Sequence, residues 1–206
     1  MIALDLLLAA TGLALALALR PWRALAGTTP PWPALAWWAA LPLLWSLDAI
    51  TNMPLLQPLS GACVLLLMLG WPLTVLMLVP VTAVIAGLAD VSLLDAVHRS
   101  VWLGLVPATL ALLLGAAVRR WLPHHLFVYI LGRGFFATAL AVAGAGWLAA
   151  ALFGVPDTLS LADVMLARAL AAWGDAFLTG MMVAIFVAFK PQWLATYTDH
   201  LYLPRD

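Results

Sequence analysis

The sequence from Leu161 to Phe189 reads LADVMLARALAAWGDAFLTGMMVAIFVAF. A helix needs about 20 mostly apolar residues to cross the hydrocarbon core of a bilayer. This segment is long enough, and it is followed by Lys190-Pro191, where a charge and a proline ring disfavour a continuing buried helix. The segment therefore predicts a transmembrane helix, and the same pattern recurs along the rest of the chain.

The composition of the whole chain agrees with this prediction. Of its 206 residues, 66% are hydrophobic and 9% are charged, whereas soluble domains carry about 25% charged residues. A water-soluble domain of this length would leave too much apolar surface in contact with water. We therefore predict an all-α fold, a polytopic membrane helix bundle that forms a single integral membrane domain over residues 1–206 and has the lipid bilayer as its main partner.

Seven segments are predicted to cross the membrane, separated by charges, glycines and prolines. The third and fourth are joined by the tight break Gly70-Trp71-Pro72, and the polar stretch from Asp90 to Ser100 is predicted as an outer loop. The predicted spans are Ile2–Leu19, Ala34–Ile50, Leu55–Leu69, Leu73–Leu88, Val101–Val118, Leu126–Phe153 and Leu161–Phe189.

The basic residues predict the orientation of this bundle, because loops rich in Lys and Arg favour the cytoplasm. With the N-terminus outside, the outer segments contain Arg99 alone. The first segment is not expected to be a cleaved signal, since it begins with the acid Asp5 and its basic residues follow the apolar run. The inner segments would contain Arg20, Arg23, Arg119, Arg120, Lys190 and Arg205.

Several functional classes find no support in the sequence. The formal net charge is zero, which gives no indication of a nucleic-acid partner. No lysine and no histidine lies within a predicted span, so neither a retinal-type Schiff base nor a haem inside the bundle is expected. The chain contains no GxSxG, HExxH or P-loop motif. We expect no enzymatic activity, and any ATP-driven step would come from another chain.

Ionisable residues within the predicted spans are candidates for function, because charges in hydrocarbon need a partner or a wet cavity. Arg168 and Asp175 are seven residues apart and share one face of the seventh helix. Arg133 of the sixth helix lies about 10 Å from Asp175 along the bundle axis, so an interhelical Arg133–Asp175 ion pair is predicted. This charge network would either hold the last two helices together or take part in substrate coupling.

A second group of candidate residues lies at the predicted outer face. Asp48 and Asn52 are four residues apart on the second helix, and Met53 follows them. Their carboxylate, amide and thioether groups, together with the loop residue His98 and the amine of Met1, would bind a divalent transition metal as cargo. The alternative is structural, with Asp48 as a helix-end acid and His98 as a solvated loop histidine.

Three parts of the sequence together resemble a known family. They are residues 59–62 with 69–73, residues 126–136, and residues 175–181 with 189–193, which read LSGA with LGWPL, LFVYILGRGFF, and DAFLTGM with FKPQW. Over about residues 55–203 the chain is similar to the bacterial energy-coupling-factor transporter permeases, which are distantly similar to the cobalt/nickel-uptake substrate-binding components. The resemblance implies a seven-helix subunit of the bacterial inner membrane that works with a transmembrane coupling subunit and ATPase chains.

The resemblance also implies a metal site, and the chain departs from it. The relatives bind a divalent metal through the N-terminal amine, a histidine at position two and a further loop histidine. Here position two is Ile2, and Gln57 stands before the third helix, where a histidine would complete the pattern. The resemblance therefore supports the seven-helix fold more strongly than it supports a metal ion as the transported solute.

Two functions follow from these observations. The first is a substrate-binding permease component of an energy-coupling-factor-type transporter, with transition-metal uptake as its activity. The second is a non-transporting accessory or assembly subunit of a larger membrane complex. An intramembrane enzyme would need a catalytic pair that the sequence does not display.

Overall fold

The computed structural model describes residues 2–23, 30–51, 57–155, 159–198 and 202. This part of the chain is helical and contains no strand, which confirms the predicted all-α fold. Two π-helical segments, Val101–Leu105 and Val128–Phe136, precede α7 and α8. The α-helices are α1 (Ile2–Ala18), α2 (Trp32–Trp45), α3 (Leu47–Thr51), α4 (Ala62–Leu69), α5 (Trp71–Leu88), α6 (Leu93–Ser100), α7 (Val106–Trp121), α8 (Ala137–Phe153) and α9 (Leu161–Phe189).

Four helices of the described residues are long and apolar enough to cross a membrane. α1 is a shorter apolar helix of 17 residues. The chain is thus a multi-pass membrane protein, while the count of seven crossings and the outward N-terminus stay predictions. The four long helices are Trp71–Leu88, Leu93–Trp121, Val128–Phe153 and Leu161–Phe189.

The prediction of a loop between Asp90 and Ser100 is wrong over most of this stretch, because residues Leu93–Ser100 form a helix. The Ser92 hydroxyl accepts a hydrogen bond from the backbone N–H of Asp95 at 3.1 Å and donates to the Asp95 carboxylate at 2.6 Å. This N-cap begins a helix, which continues through the first π-helical segment into α7. His98 and Arg99 are therefore helical residues rather than loop residues.

The predicted third span is replaced by a half-helix. Its helical part, α4, has 8 residues, which rise about 12 Å at 1.5 Å per residue, well short of a hydrocarbon core about 30 Å thick. Residues 57–61 before it are not helical. Gly61 has a left-handed φ of 63°, a conformation that glycine adopts without steric cost.

α4 lies at the centre of the bundle. All of its residues are buried, and it packs against α2, α5, α7 and α9. On one side α9, α8 and α7 pack in series, and on the other side α5 packs against α1, α2 and α6. Any interruption of helical structure at the start of α4 is thus enclosed by protein.

A close approach at Gly104 brings the first π-helical segment against the core. A Cβ atom at this position would lie 2.9 Å from the Leu78 side chain and 2.9 Å from the ring of Trp45. Trp45 is fully buried, so its ring has no space into which it could move. The packing therefore requires glycine here.

We predict that Gly104→Ala destabilises the protein by about 1–3 kcal/mol, the usual cost of overpacking a core. Gly87→Ala is the matched control, because nothing lies within 4 Å of a Cβ at Gly87 and alanine favours a helix over glycine. Thermal unfolding of both variants in one detergent, followed by circular dichroism, measures the difference. Equal melting temperatures for the two variants would contradict the packing argument.

Candidate functional site

Directly before the half-helix begins, two backbone N–H groups meet a carboxylate inside the bundle. Asp175 is the middle residue of the 29-residue α9. Its Oδ2 accepts a hydrogen bond from the N–H of Ser60 at 2.8 Å, and its Oδ1 accepts one from the N–H of Gly61 at 2.9 Å. Helix N-termini carry unpaired N–H groups and positive partial charge, so the carboxylate is favoured here. We call Ser60, Gly61 and Asp175 the half-helix site.

Two tryptophans satisfy the carbonyl groups of the same segment. Trp45 Nε1 donates to the carbonyl of Ser60 at 3.0 Å, and Trp37 Nε1 donates to the carbonyl of Gly61 at 2.8 Å. The Ser60 hydroxyl donates to the carbonyl of Leu103 at 2.6 Å. Non-helical backbone is tolerated at membrane depth where protein groups satisfy it, and these side chains supply that condition.

A second polar group lies where α1 begins and α6 ends, and we call it the polar end cluster. The Asp5 side chain, with a residue exposure of 3%, accepts a hydrogen bond from Trp102 Nε1 at 2.8 Å. Its other oxygen lies 2.8 Å from His98 Nδ1, and the His98 side chain stays 39% exposed. The cluster consists of Asp5, Asp48, His98, Arg99 and Trp102.

Asp48 is bound by Arg99 within this cluster. The two guanidinium NH groups donate to the two carboxylate oxygens at 2.6 and 2.8 Å, and one of them also donates to the carbonyl of Trp45 at 2.7 Å. Asp48 lies in α3, outside the four long helices. The hydrogen bond from Arg99 is the main reason why the pKa of Asp48 is held below its usual value. Both carboxylate oxygens are thus engaged by one guanidinium.

The predicted Arg133–Asp175 ion pair does not form. Arg133 is buried, with 8% exposure. It donates to the carbonyl of Thr196 at 3.4 Å, and its guanidinium lies 5.6 Å from the centre of the Tyr129 ring. The prediction rested on the axial spacing of Arg133 and Asp175 alone. The non-helical segment before α4 supplies two backbone N–H donors to Asp175 instead.

Arg168 does not join Asp175 in a charge network either. Its guanidinium donates to the carbonyl of Gly146 on α8. Among the residues that the structure describes, the ion pairs are Asp5–His98 and Asp48–Arg99. The three predicted intramembrane charges thus have three different sets of partners.

The predicted metal ligands are brought together only in part. Met1, Asn52 and Met53 lie outside the described residues. Asp48 and His98 are bound by different partners, Arg99 and Asp5. Within the described ranges, no group of three or more His, Cys, Asp or Glu side chains is placed to bind a metal ion.

A cavity of about 310 Å³ lies between α1, α5 and the continuous α6–α7 helix. Its lining is apolar except for the hydroxyls of Thr82 and Ser100, which lie 2.7 Å apart and hydrogen-bond to each other. No free polar group is left there to replace the water around a hydrated ion. The cavity suits an apolar molecule, not the predicted metal cargo.

Sequence reasoning identified the charged residues but missed their partners. The predicted spans place Ser60 and Gly61 in a helix and Arg99 in a loop. One signal was present, because the indole N–H of a buried tryptophan such as Trp45 usually needs an acceptor. A carbonyl freed by a broken helix is such an acceptor.

Comparisons with protein-family models, with curated proteins and with solved structures find no match to this chain. The resemblance to the energy-coupling-factor permeases therefore stays a prediction.

We predict that the Asp48–Arg99 pair stabilises the fold at neutral pH and ceases to do so in acid. Because the pKa of Asp48 is lowered in the folded protein, the contribution is present above the usual aspartate value of about 4. It is lost as the pH falls through the lower folded-state pKa. Asp48→Asn should therefore melt below wild type at neutral pH, and the gap should narrow in strong acid.

Thermal unfolding across a pH series measures this gap. Asp90→Asn is the control, because Asp90 is exposed and its left-handed φ of 49° is also tolerated by asparagine. A gap between wild type and Asp48→Asn that is unchanged from neutral to acid pH would disprove the assignment.

Proposed function

We propose that this chain is the solute-binding membrane subunit of an energy-coupling-factor-type transporter in the bacterial inner membrane, and that its solute is a divalent transition-metal ion. The observation that carries the proposal is the Asp5–His98 pair of the polar end cluster. The chain has no P-loop, so a transmembrane coupling subunit and ATPase chains would supply the energy.

The pair orients His98 as a ligand. With Nδ1 directed at the Asp5 carboxylate at 2.8 Å, Nε2 is the nitrogen left for a metal. Histidine ligands in metal sites commonly donate their other ring N–H to a carboxylate, which fixes the tautomer and raises the basicity of the ring. The ring also packs edge-on against Phe153, with centroids 4.9 Å apart, so its direction is set by packing as well.

The site is partly open, which suits a cargo that must be released. His98 is 39% exposed on its side chain, while Asp5 is buried and shares its carboxylate with Trp102. One protein nitrogen and a set of water ligands would bind an exchangeable ion, since tight structural sites use closed sets of four protein ligands. A metal requires the neutral imidazole, so protons compete for the same nitrogen.

A specific observation favours the second function, a non-transporting accessory or assembly subunit. Asp48 and Asp175 are both engaged by donors within the chain, as in a scaffold that binds no solute. The two functions differ in one test. Uptake of cobalt into vesicles that depends on added ATPase chains supports transport, whereas a stable complex without ATPase chains and without uptake supports assembly.

We predict that the purified protein binds Co²⁺ or Ni²⁺ through His98. Isothermal titration in detergent should show binding to wild type and its loss in His98→Ala. Asp5→Asn should weaken affinity by about 10- to 100-fold, the usual effect of removing the carboxylate behind a histidine ligand.

His124→Ala is the matched control, because His124 is exposed and lies outside the polar end cluster. This variant should bind like wild type. Unchanged affinity in His98→Ala, or no binding to the wild-type protein at all, would remove metal capture from the proposal.

A further inference from the structure

The half-helix site places a carboxylate in the interior of the bundle without a cation beside it. Asp175 is 1% exposed, and no ion pair to it is found in the described part of the chain. Two backbone N–H groups and the start of α4 are its partners. A charge in such surroundings is costly unless it is neutralised, and a bound proton neutralises a carboxylate directly.

The groups around Asp175 come from several elements. Thr179 lies one turn further along α9 on the same face. Cys63 on α4 lies within electrostatic reach of Asp175 and beside Thr138 on the α8 helix. Cys63 is thus the titratable group that faces the carboxylate from α4, while Arg133 and Arg168 have the other partners described above.

A buried hydroxyl one turn from this carboxylate has no hydrogen-bond partner among the described residues. It is the Oγ1 atom of Thr179, a residue that is 1% exposed. Buried polar groups are normally hydrogen-bonded, so an unpaired hydroxyl on the same face as Asp175 points to a second arrangement. A protonated Asp175 has an O–H to donate, and the hydroxyl of Thr179 is an acceptor for it.

The packing leaves no space here for a larger ligand. A Cβ added at Gly61 would lie 2.9 Å from Leu41 and 3.0 Å from Trp37. Asp175 does not line either of two cavities found in the described part, each of about 310–320 Å³. A proton is the ligand that needs no cavity.

We propose that Asp175 is a proton-binding site that controls the non-helical segment before α4. Hydronium transfers a proton to one carboxylate oxygen and leaves as water, so the carboxylate becomes a neutral acid. That O–H then donates to Thr179. The N–H groups of Ser60 and Gly61 lose their charge-assisted hydrogen bonds, which are about twice as strong as neutral ones, and the segment is released.

The released segment is connected to the polar end cluster. Trp45 Nε1 binds the carbonyls of Leu59 and Ser60, each at 3.0 Å, and the Trp45 carbonyl accepts a hydrogen bond from Arg99. Protonation in the interior is thereby linked to the end of the bundle where His98 lies. The inference goes beyond metal capture and stands without any bound solute.

The test uses the reconstituted full-length protein and two readouts. A pH-difference infrared spectrum of wild type should show a protonated carboxylic acid band that is absent in Asp175→Asn and retained in Asp163→Asn, a control acid in the first turn of α9. Thr179→Val should shift this band, because the acid loses its acceptor.

Cys63 supplies the second readout, since it is the single cysteine of the chain and is buried in the first turn of α4. At one fixed pH, a maleimide should label Cys63 several-fold faster in Asp175→Asn, which mimics the protonated acid, than in wild type or Asp163→Asn. Equal labelling rates in the folded variants would disprove the claim that protonation of Asp175 releases the segment before α4.

If Asp175→Asn does not fold, the infrared spectra of wild type and Thr179→Val still test the proton-binding site. A wild-type spectrum without an acid band, or a band that Thr179→Val leaves unchanged, would overturn the proposal. Metal titration of His98→Ala is independent of these spectra, so a failed proton site and a failed metal site are distinguishable.

Discussion

Hydrogen bonding of backbone groups away from water is the constraint on which this structure depends. Each unsatisfied N–H or C=O in hydrocarbon costs several kcal/mol, and the half-helix exposes such groups at both ends. Asp175 binds the N–H groups of Ser60 and Gly61, which directly precede the half-helix. At its end, the carbonyls of Leu67 and Met68 accept hydrogen bonds from the N–H groups of Thr196 and Ala195 at 3.3 and 3.2 Å. α9 and the segment after it are thereby positioned around α4.

Three ionisable residues of the long helices bind peptide groups rather than opposite charges. Asp175 binds backbone N–H groups, Arg133 binds the carbonyl of Thr196, and Arg168 binds that of Gly146. A buried ion pair must overcome the desolvation of two charges at once, whereas a peptide dipole brings no second charge into the interior. The broken helix supplies such dipoles where an unbroken one would have none free.

The long helices could be predicted from the sequence, whereas the half-helix and its contacts could not. The bounds of α9, Leu161–Phe189, follow from local apolar length and from the break at Lys190-Pro191, so they agree with the prediction. The site at Asp175 joins residues that are 115 positions apart in the sequence. A local sequence pattern cannot predict a contact between residues so far apart. The start of α6 could have been predicted in part. Ser92 is a recognisable N-cap, but the polar residues that follow it favoured a loop.

The partners of α4 have a consequence for the order in which the bundle is made. The Ser60–Asp175 bond spans 115 positions and the Thr196–Leu67 bond spans 129. When α4 leaves the ribosome, neither α9 nor residues 195–196 have been synthesised. Because a chain grows from its N-terminus, the half-helix reaches its final place only after nearly all of the polypeptide has been translated. The centre of the bundle is therefore the last part to be completed during biogenesis.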